Sequence, residues 1–454
     1  MYLDGEKQKS VETVDDDHEH LVGVDSDHAK GRSPGRMVGS TIGDQLKLAD
    51  KRSRVFSIAL KDRAAILLAG KNPDAVFWCD KATGRVVTSS YYSDSLPEWA
   101  GKWNKAGGLL QYAGKTWLPS LDPACYDAAT NCEPAWSRTL AAAGPIFPHL
   151  LPEVPKGPAD AYFKRVMGTP YGNEAIFDWA KELIPVQNIG KGPATDMLFI
   201  GLSANDRVGH LYGPESPEVL EITVLTDRLL GHLFEILDHQ VGADRWLLAL
   251  TADHGVTTTT HLALKNRLGG GFFDEDGIAA ALNSTLAEAA GSDAPGLPLI
   301  TGINLPWIFG NSGFEKLDEK LGGKLTRTAR DFLRSTPGVE RVFTRADLSG
   351  AAPPETDADF LRAWNSFSPR SSAQFLVKLL PYWQGKETEG TTEHSGGSHS
   401  DRHVPIVLYG PGIRAGAYFT PAELSDIAPT LAALLGIEAP PNCTGHVLSA
   451  AIQR

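Results

Sequence analysis

The sequence predicts an α/β protein with a mostly parallel sheet flanked by helices and carrying inserted cap segments. Three observations predict it. Residues 55–60, 197–202, 246–251 and 405–409 are short, near-continuous apolar runs, the pattern of strands covered on both faces. Residues 218–239 place Val219, Ile222, Leu225, Leu229, Leu233 and Leu237 at helical spacing, with Pro217 suited to the first helical position and Gly242 beyond the end. Strand, helix and strand then follow in the order of a crossover unit.

The 454 residues suffice for one large domain, taken here as 1–454. Two stretches read as insertions or cap elements. Residues 68–190 are rich in Trp, Tyr, Pro and Gly with weak periodicity; 257–390 carry helical patterns at 277–290 and 324–335 and a strand at 374–380. Gly269, Gly270 and Gly271 read as a turn, without phosphate-loop spacing. Ser40 and Thr41 open a helix. Thr420 to Glu423 read as a capping box, Pro429 should break or kink the helix that follows, and Gly436 ends it.

The net charge of −12 argues against a nucleic-acid backbone partner. No apolar run is long enough to span a bilayer, and the first ten residues lack a signal-peptide core. Among the four cysteines, Cys125 and Cys132 flank a short polar loop and either pair or stay separate thiols. The dense groups Asp15, Asp16, Asp17, His18, His20 and Asp25, Asp27, His28 read as a solvated loop, since such a run lacks a scaffold to fix ligand geometry.

The chemistry lies where the strands end. Lys61 and Arg63 follow the first strand, Asp206 and His210 the second, and Asp253 and His254 the third; His394, His399 and His403 precede the fourth. Open α/β sheets bind ligands beyond the carboxyl ends of their strands. Aspartate and histidine are ligands that zinc accepts. Two Asp–His sets suggest two metals, and a metal pair clamps the attacking and leaving oxygens of displacement at phosphorus. Each piece alone is ordinary surface chemistry; their joint placement after strands is what points to a metal hydrolase.

The residues Asn205 to Pro214 resemble the D-x-x-G-H-x-x-G-P segment of the type I phosphodiesterase/nucleotide pyrophosphatase branch of the alkaline phosphatase superfamily. Thr251 to Gly255 resembles its T-x-D-H-G segment; His403 to Pro405, Leu408 to Gly412 and Asp426 to Thr430 resemble its C-terminal block. Lys61 and Arg63 resemble the Lys-x-Arg segment of monoester-preferring zinc alkaline phosphatases. No Cys-x-Pro-x-Arg occurs, which sets a sulfatase aside.

The resemblance implies an alkaline phosphatase-like fold and hydrolysis of phosphate esters, monoesters first, on a phosphorylated small molecule. It implies two Zn2+ ions. Asp206 and His210 would bind one, with His394 as third ligand and His399 or His403 as the other choices; Asp253 and His254 would bind the second. Asp401 would support a ligand from behind. Lys61 and Arg63 would contact the phosphate oxygens. The family's front segment, with its Asp ligand and Thr or Ser nucleophile, has no match here, so the catalytic position is assigned to no residue. The chain is read as N-terminally truncated, its signal peptide lost and an apolar slot left in the sheet, with a periplasmic or secreted location. A phosphodiesterase or nucleotide pyrophosphatase, or an inactive metal- or phosphate-binding fragment, are the alternatives.

Overall fold

The computed structural model describes residues 2–4, 9–24, 30–129, 147–153, 160–291, 298–371, 373–385, 392–394 and 397–453. Asp25, Asp27, His28 and Cys132 lie outside them, and with Cys132 the proposed cysteine pairing. The chain forms two compact units, residues 13–253 with 404–454 and residues 1–12 with 254–403.

The first unit is built on a six-stranded sheet. Its elements begin with β1 (Asp15–Val22), β2 (Lys30–Arg32), α1 (Ile42–Ala49), β3 (Val55–Ala59), α2 (Asp62–Ala69), β4 (Ala75–Cys79) and β5 (Val86–Ser89). Helix α3 (Pro170–Val186), β6 (Met197–Gly201), α4 (Ala204–Tyr212), α5 (Pro217–Gln240) and β7 (Leu248–Leu250) follow. The strand order is β6-β3-β4-β5-β1-β2. The sheet is mixed: β6, β3 and β4 pair in parallel, and the ladder continues antiparallel through β5, β1 and β2.

Alternation along β3 explains the layers. Phe56, Ile58 and Leu60 enter one cluster with Ile176, Trp179 and Leu183 of α3. Ala59 enters the other, with Ala65 and Ile66 of α2 and Val76, Trp78 and Val87. All five residues of β3 are buried, as a strand between two helical layers must be. The five residues of β6 are only half-buried, and among the described residues this strand pairs with β3 alone.

In the second unit, α6 (Glu275–Ala290) and α7 (Glu319–Ser335) pack on a four-stranded sheet of β8 (Ile300–Asn304), β9 (Trp307–Gly310), β10 (Val339–Thr344) and β11 (Ala373–Leu379). The order β8-β9-β11-β10 is antiparallel throughout. Back in the first unit, β12 (Val407–Tyr409) and α8 (Ile427–Leu435) complete the chain.

Several expectations are corrected. Residues 15–22 form a strand, not a solvated loop. Asp15 is buried against Arg32 at 2.6 Å, and Asp16 accepts from the Ser33 hydroxyl at 2.5 Å, so β2 and its flank supply a counter-charge to the first carboxylate and a donor to the second, while Asp17 and His18 face solvent. Strand β7 does not continue the parallel sheet; it pairs antiparallel with β12. Trp246 holds it there, its ring 5.0 Å from Phe234 and 5.2 Å from Tyr409. The capping box near residue 420 sits three residues later, on Glu423 and Asp426. Pro429 neither breaks nor kinks α8: it lies in the first turn, where no backbone N–H is required.

Candidate functional site

Lys61 and Asp206 are delivered by neighbouring strands. β3 and β6 run in parallel with Ala59 opposite Gly201, so the residues emerging from their carboxyl ends start side by side. Lys61 immediately precedes α2, at its N-cap position but without a side-chain capping bond, and Asp206 stands in the first turn of α4. A carboxylate is favoured there by the helix dipole. Lys61 Nζ lies 2.6 Å from Asp206 Oδ2, and His210 Nε2, one turn on, lies 3.1 Å from Asp206 Oδ1. Burial works against a charge on Asp206, but the His210 hydrogen bond and the Lys61 ammonium outweigh it and hold the carboxyl well below the usual range. Arg63, two residues along α2, is exposed.

The start of α4 is fixed by a polar contact that sequence reasoning missed. Asn173, fully buried in α3, donates to Asn205 Oδ1 at 2.8 Å and to Thr226 at 2.9 Å and accepts the Ala204 N–H at 3.3 Å. An asparagine in the first turn of a helix carries no spacing signal of such a role. Asp253 follows β7 at an exposed bend, close behind Thr251, whose hydroxyl donates to Pro405 O at 2.8 Å.

The second unit brings its histidines together in two pairs. The rings of His254 and His394 stack with centroids 3.4 Å apart, and those of His399 and His403 lie 5.0 Å apart. The first pair is held by Thr392, which donates to Thr257 O at 2.7 Å, and by Gln384, which accepts from Thr392 and the Glu393 N–H. Gly255 explains itself here: a Cβ would come within 2.2 Å of Ser400 O, and its N–H donates to Asp401 O at 2.7 Å. Asp401 is buried, which pushes its carboxyl up; one oxygen takes the Ser398 N–H, and the other has no hydrogen-bond partner among the described residues.

The donor types fit a zinc-like cation. Carboxylate oxygen and imidazole nitrogen are its accepted ligands, and Asp206 is kept in the anionic form that ligation requires.

The comparisons agree with this chemistry. The family described as type I phosphodiesterase / nucleotide pyrophosphatase matches residues 16–284. Alkaline phosphatase PafA of Elizabethkingia meningoseptica is 30% identical over 460 residues, covering 100% of this chain and 82% of its own. Alkaline phosphatase PhoV of Synechococcus elongatus is 28% identical over 450 residues, covering 99% of this chain and 79% of its own. The crystal structure of wild-type PafA superposes with a TM-score of 0.87 at 28% identity, covering 100% of this chain and 85% of that one.

Proposed function

Because the chain belongs to the type I phosphodiesterase/nucleotide pyrophosphatase family of the alkaline phosphatase superfamily, and is thereby a phosphoric-ester hydrolase, we propose that its substrates are phosphate monoesters of small molecules and its cofactors two Zn2+ ions. The ligand set this reading calls for is Asp206, His210 and His394 for one ion and Asp253 and His254 for the other. Bound metal would supply charge stabilisation to the phosphate oxygens. Lys61 and Arg63 bind the non-bridging oxygens, where a monoester dianion gains more from two cations than a diester monoanion does. Asp206 holds the Lys61 ammonium until substrate arrives. No residue of the chain is assigned as the attacking group.

One observation carries the reading: the 2.6 Å ion pair of Lys61 with Asp206, which sets a substrate-binding cation directly beside a candidate ligand. The diester alternative has the family description behind it, but it leaves no task for Lys61 at that position. An inactive metal- or phosphate-binding chain is the remaining reading. A periplasmic or secreted location and a cap role for 257–390 complete the proposal, while 68–190, read from sequence as a second insertion, supplies two strands of the central sheet and the helix packed on it; among the described residues no helix is long and apolar enough to cross a membrane.

The test compares an aryl phosphate monoester with its matching diester on zinc-loaded protein. A higher kcat/KM for the monoester is expected, with Lys61→Ala lowering that rate by about tenfold or more and sparing the diester. A faster diester would overturn the assignment of Lys61 and Arg63. Zinc binding without turnover of either ester would favour the inactive reading.

A further inference from the structure

Between the two cations assigned to phosphate stands a carboxylate, Asp62. Left uncompensated, it would oppose the binding of any anion at Lys61 and Arg63. Where side chains are partly withdrawn from water the effective dielectric is far below that of water, so the charge on the residue between the two cations bears on the potential they present.

The fold answers with Arg32. Asp62 Oδ1 accepts the Arg63 N–H at 2.8 Å, while Oδ2 accepts Arg32 Nε–H at 2.8 Å. The guanidinium reaches Asp62 from β2, where a second nitrogen donates to Asp15 Oδ1 at 2.6 Å and to the carbonyls of Lys30 and Gly31 at 3.3 and 3.2 Å. The side chains are largely withdrawn from water: Arg32 is 19% exposed, Asp62 14% and Asp15 6%. Their mounting is tight, since a Cβ on Gly31 would fall within 1.9 Å of Glu19 O. Asp15 also meets Lys30 at 3.5 Å, so the cluster holds two carboxylates against two cations. Burial of Asp62 works against its charge, but the Arg32 hydrogen bond and charge, the Lys81 charge and the Arg63 N–H together outweigh it and lower its carboxyl, keeping the group anionic and paired.

We propose that Arg32 is a charge-compensating residue for the Lys61–Arg63 segment, pairing Asp62 so that the segment presents net positive charge to a dianionic phosphate. Arg32 contacts no substrate; it acts through Asp62 as a positioning residue, and it favours the dianion over less charged esters. The proposal rests on the phosphate-binding role given above to Lys61 and Arg63. A purely structural clamp would lose folding stability in Arg32→Gln and in Asp62→Asn alike and would bind phosphate no more tightly in Asp62→Asn, whereas charge compensation ties phosphate affinity to the sign of the change at residue 62, and this distinguishes the two.

The experiment measures the dissociation constant of inorganic phosphate by calorimetry on the zinc-loaded wild type, Arg32→Gln, Asp62→Asn and the double variant, each checked for folding by circular dichroism. Arg32→Gln should bind phosphate about tenfold more weakly. Adding Asp62→Asn should restore affinity to within about threefold of wild type. Asp62→Asn alone, which keeps the hydrogen-bonding shape and decides the matter should Arg32→Gln not fold, should bind at least as tightly as wild type. Unchanged affinity in Arg32→Gln, a loss that Asp62→Asn does not restore, or weaker binding by Asp62→Asn alone would overturn the proposal while leaving the phosphate site standing. A wild type that binds no phosphate would overturn both.

Discussion

Asp206 concentrates the chemistry at the scale of one residue, because a single carboxylate faces both a lysine and a histidine. Removing its charge should remove a ligand and release Lys61 together. Asp206→Asn should lose more than the roughly ten- to hundredfold in metal affinity that outer contacts command, read by equilibrium dialysis against zinc; affinity within threefold of wild type would show that Asp206 is no ligand. A second pair, Asp357 and Arg341, makes a pH prediction. Arg341 donates to both Asp357 oxygens at 2.6 and 2.8 Å. That contact, followed by the Phe360 N–H, holds the carboxyl at about 2 against its usual 3.8. The folded value lies below the unfolded one, so the stabilisation is complete above pH 3.8 and lost as pH falls through 2. Denaturant midpoints of wild type and Asp357→Asn should differ at neutral pH and converge near pH 2; a gap that persists there would deny the ion pair its role. Asp206, His210, Asp253 and His254 stand out in the sequence as candidates because each pair follows a strand, and the structure brings Asp206 to His210. Arg32, Asp62 and Asn173 do not: the contacts that join Arg32 to Asp62 and Asn173 to Asn205 span 30 and 32 residues, and no periodicity links them.

Elements show the same division. The strand at β3 and the helices α5, α6 and α7 follow from apolar period and caps, because burial on known faces fixes both. β1 escaped detection because aspartate is depleted in strands; it is held by ladders with β2 and β5, by the Arg32–Asp15 ion pair and by Leu21 in the core. β7 was misplaced because a three-residue strand is positioned by side-chain packing more than by its own run. Helix α1 offers the clearest local test. Thr41 accepts from the Asp44 N–H at 3.2 Å, and Asp44 accepts the Thr41 N–H at 2.9 Å. Thr41→Ala should therefore cost about 1 kcal/mol, measured by urea unfolding. A cost under a few tenths would mean that this helix end is held by packing instead.

For the whole molecule, charge and metal pull in opposite directions. A chain with a net charge of −12 repels an anionic substrate at long range, so phosphate chemistry here depends on concentrated positive charge, of which Lys61 and Arg63 supply only part. Two divalent cations would supply the rest. A ligand set assembled by the fold is lost on unfolding, so bound metal would favour the native state and raise stability by mass action. At free zinc one hundred times its dissociation constant, one site contributes about 2.7 kcal/mol. Thermal unfolding should accordingly shift upward as zinc is raised, fall after dialysis against a chelator, and recover when zinc returns, with monoester hydrolysis following the same course. Asp206→Asn should flatten that dependence by removing a ligand without emptying the rest of the set. A melting temperature indifferent to zinc and chelator, in protein that still binds phosphate, would place the anion site on Lys61 and Arg63 alone and remove metal from the account.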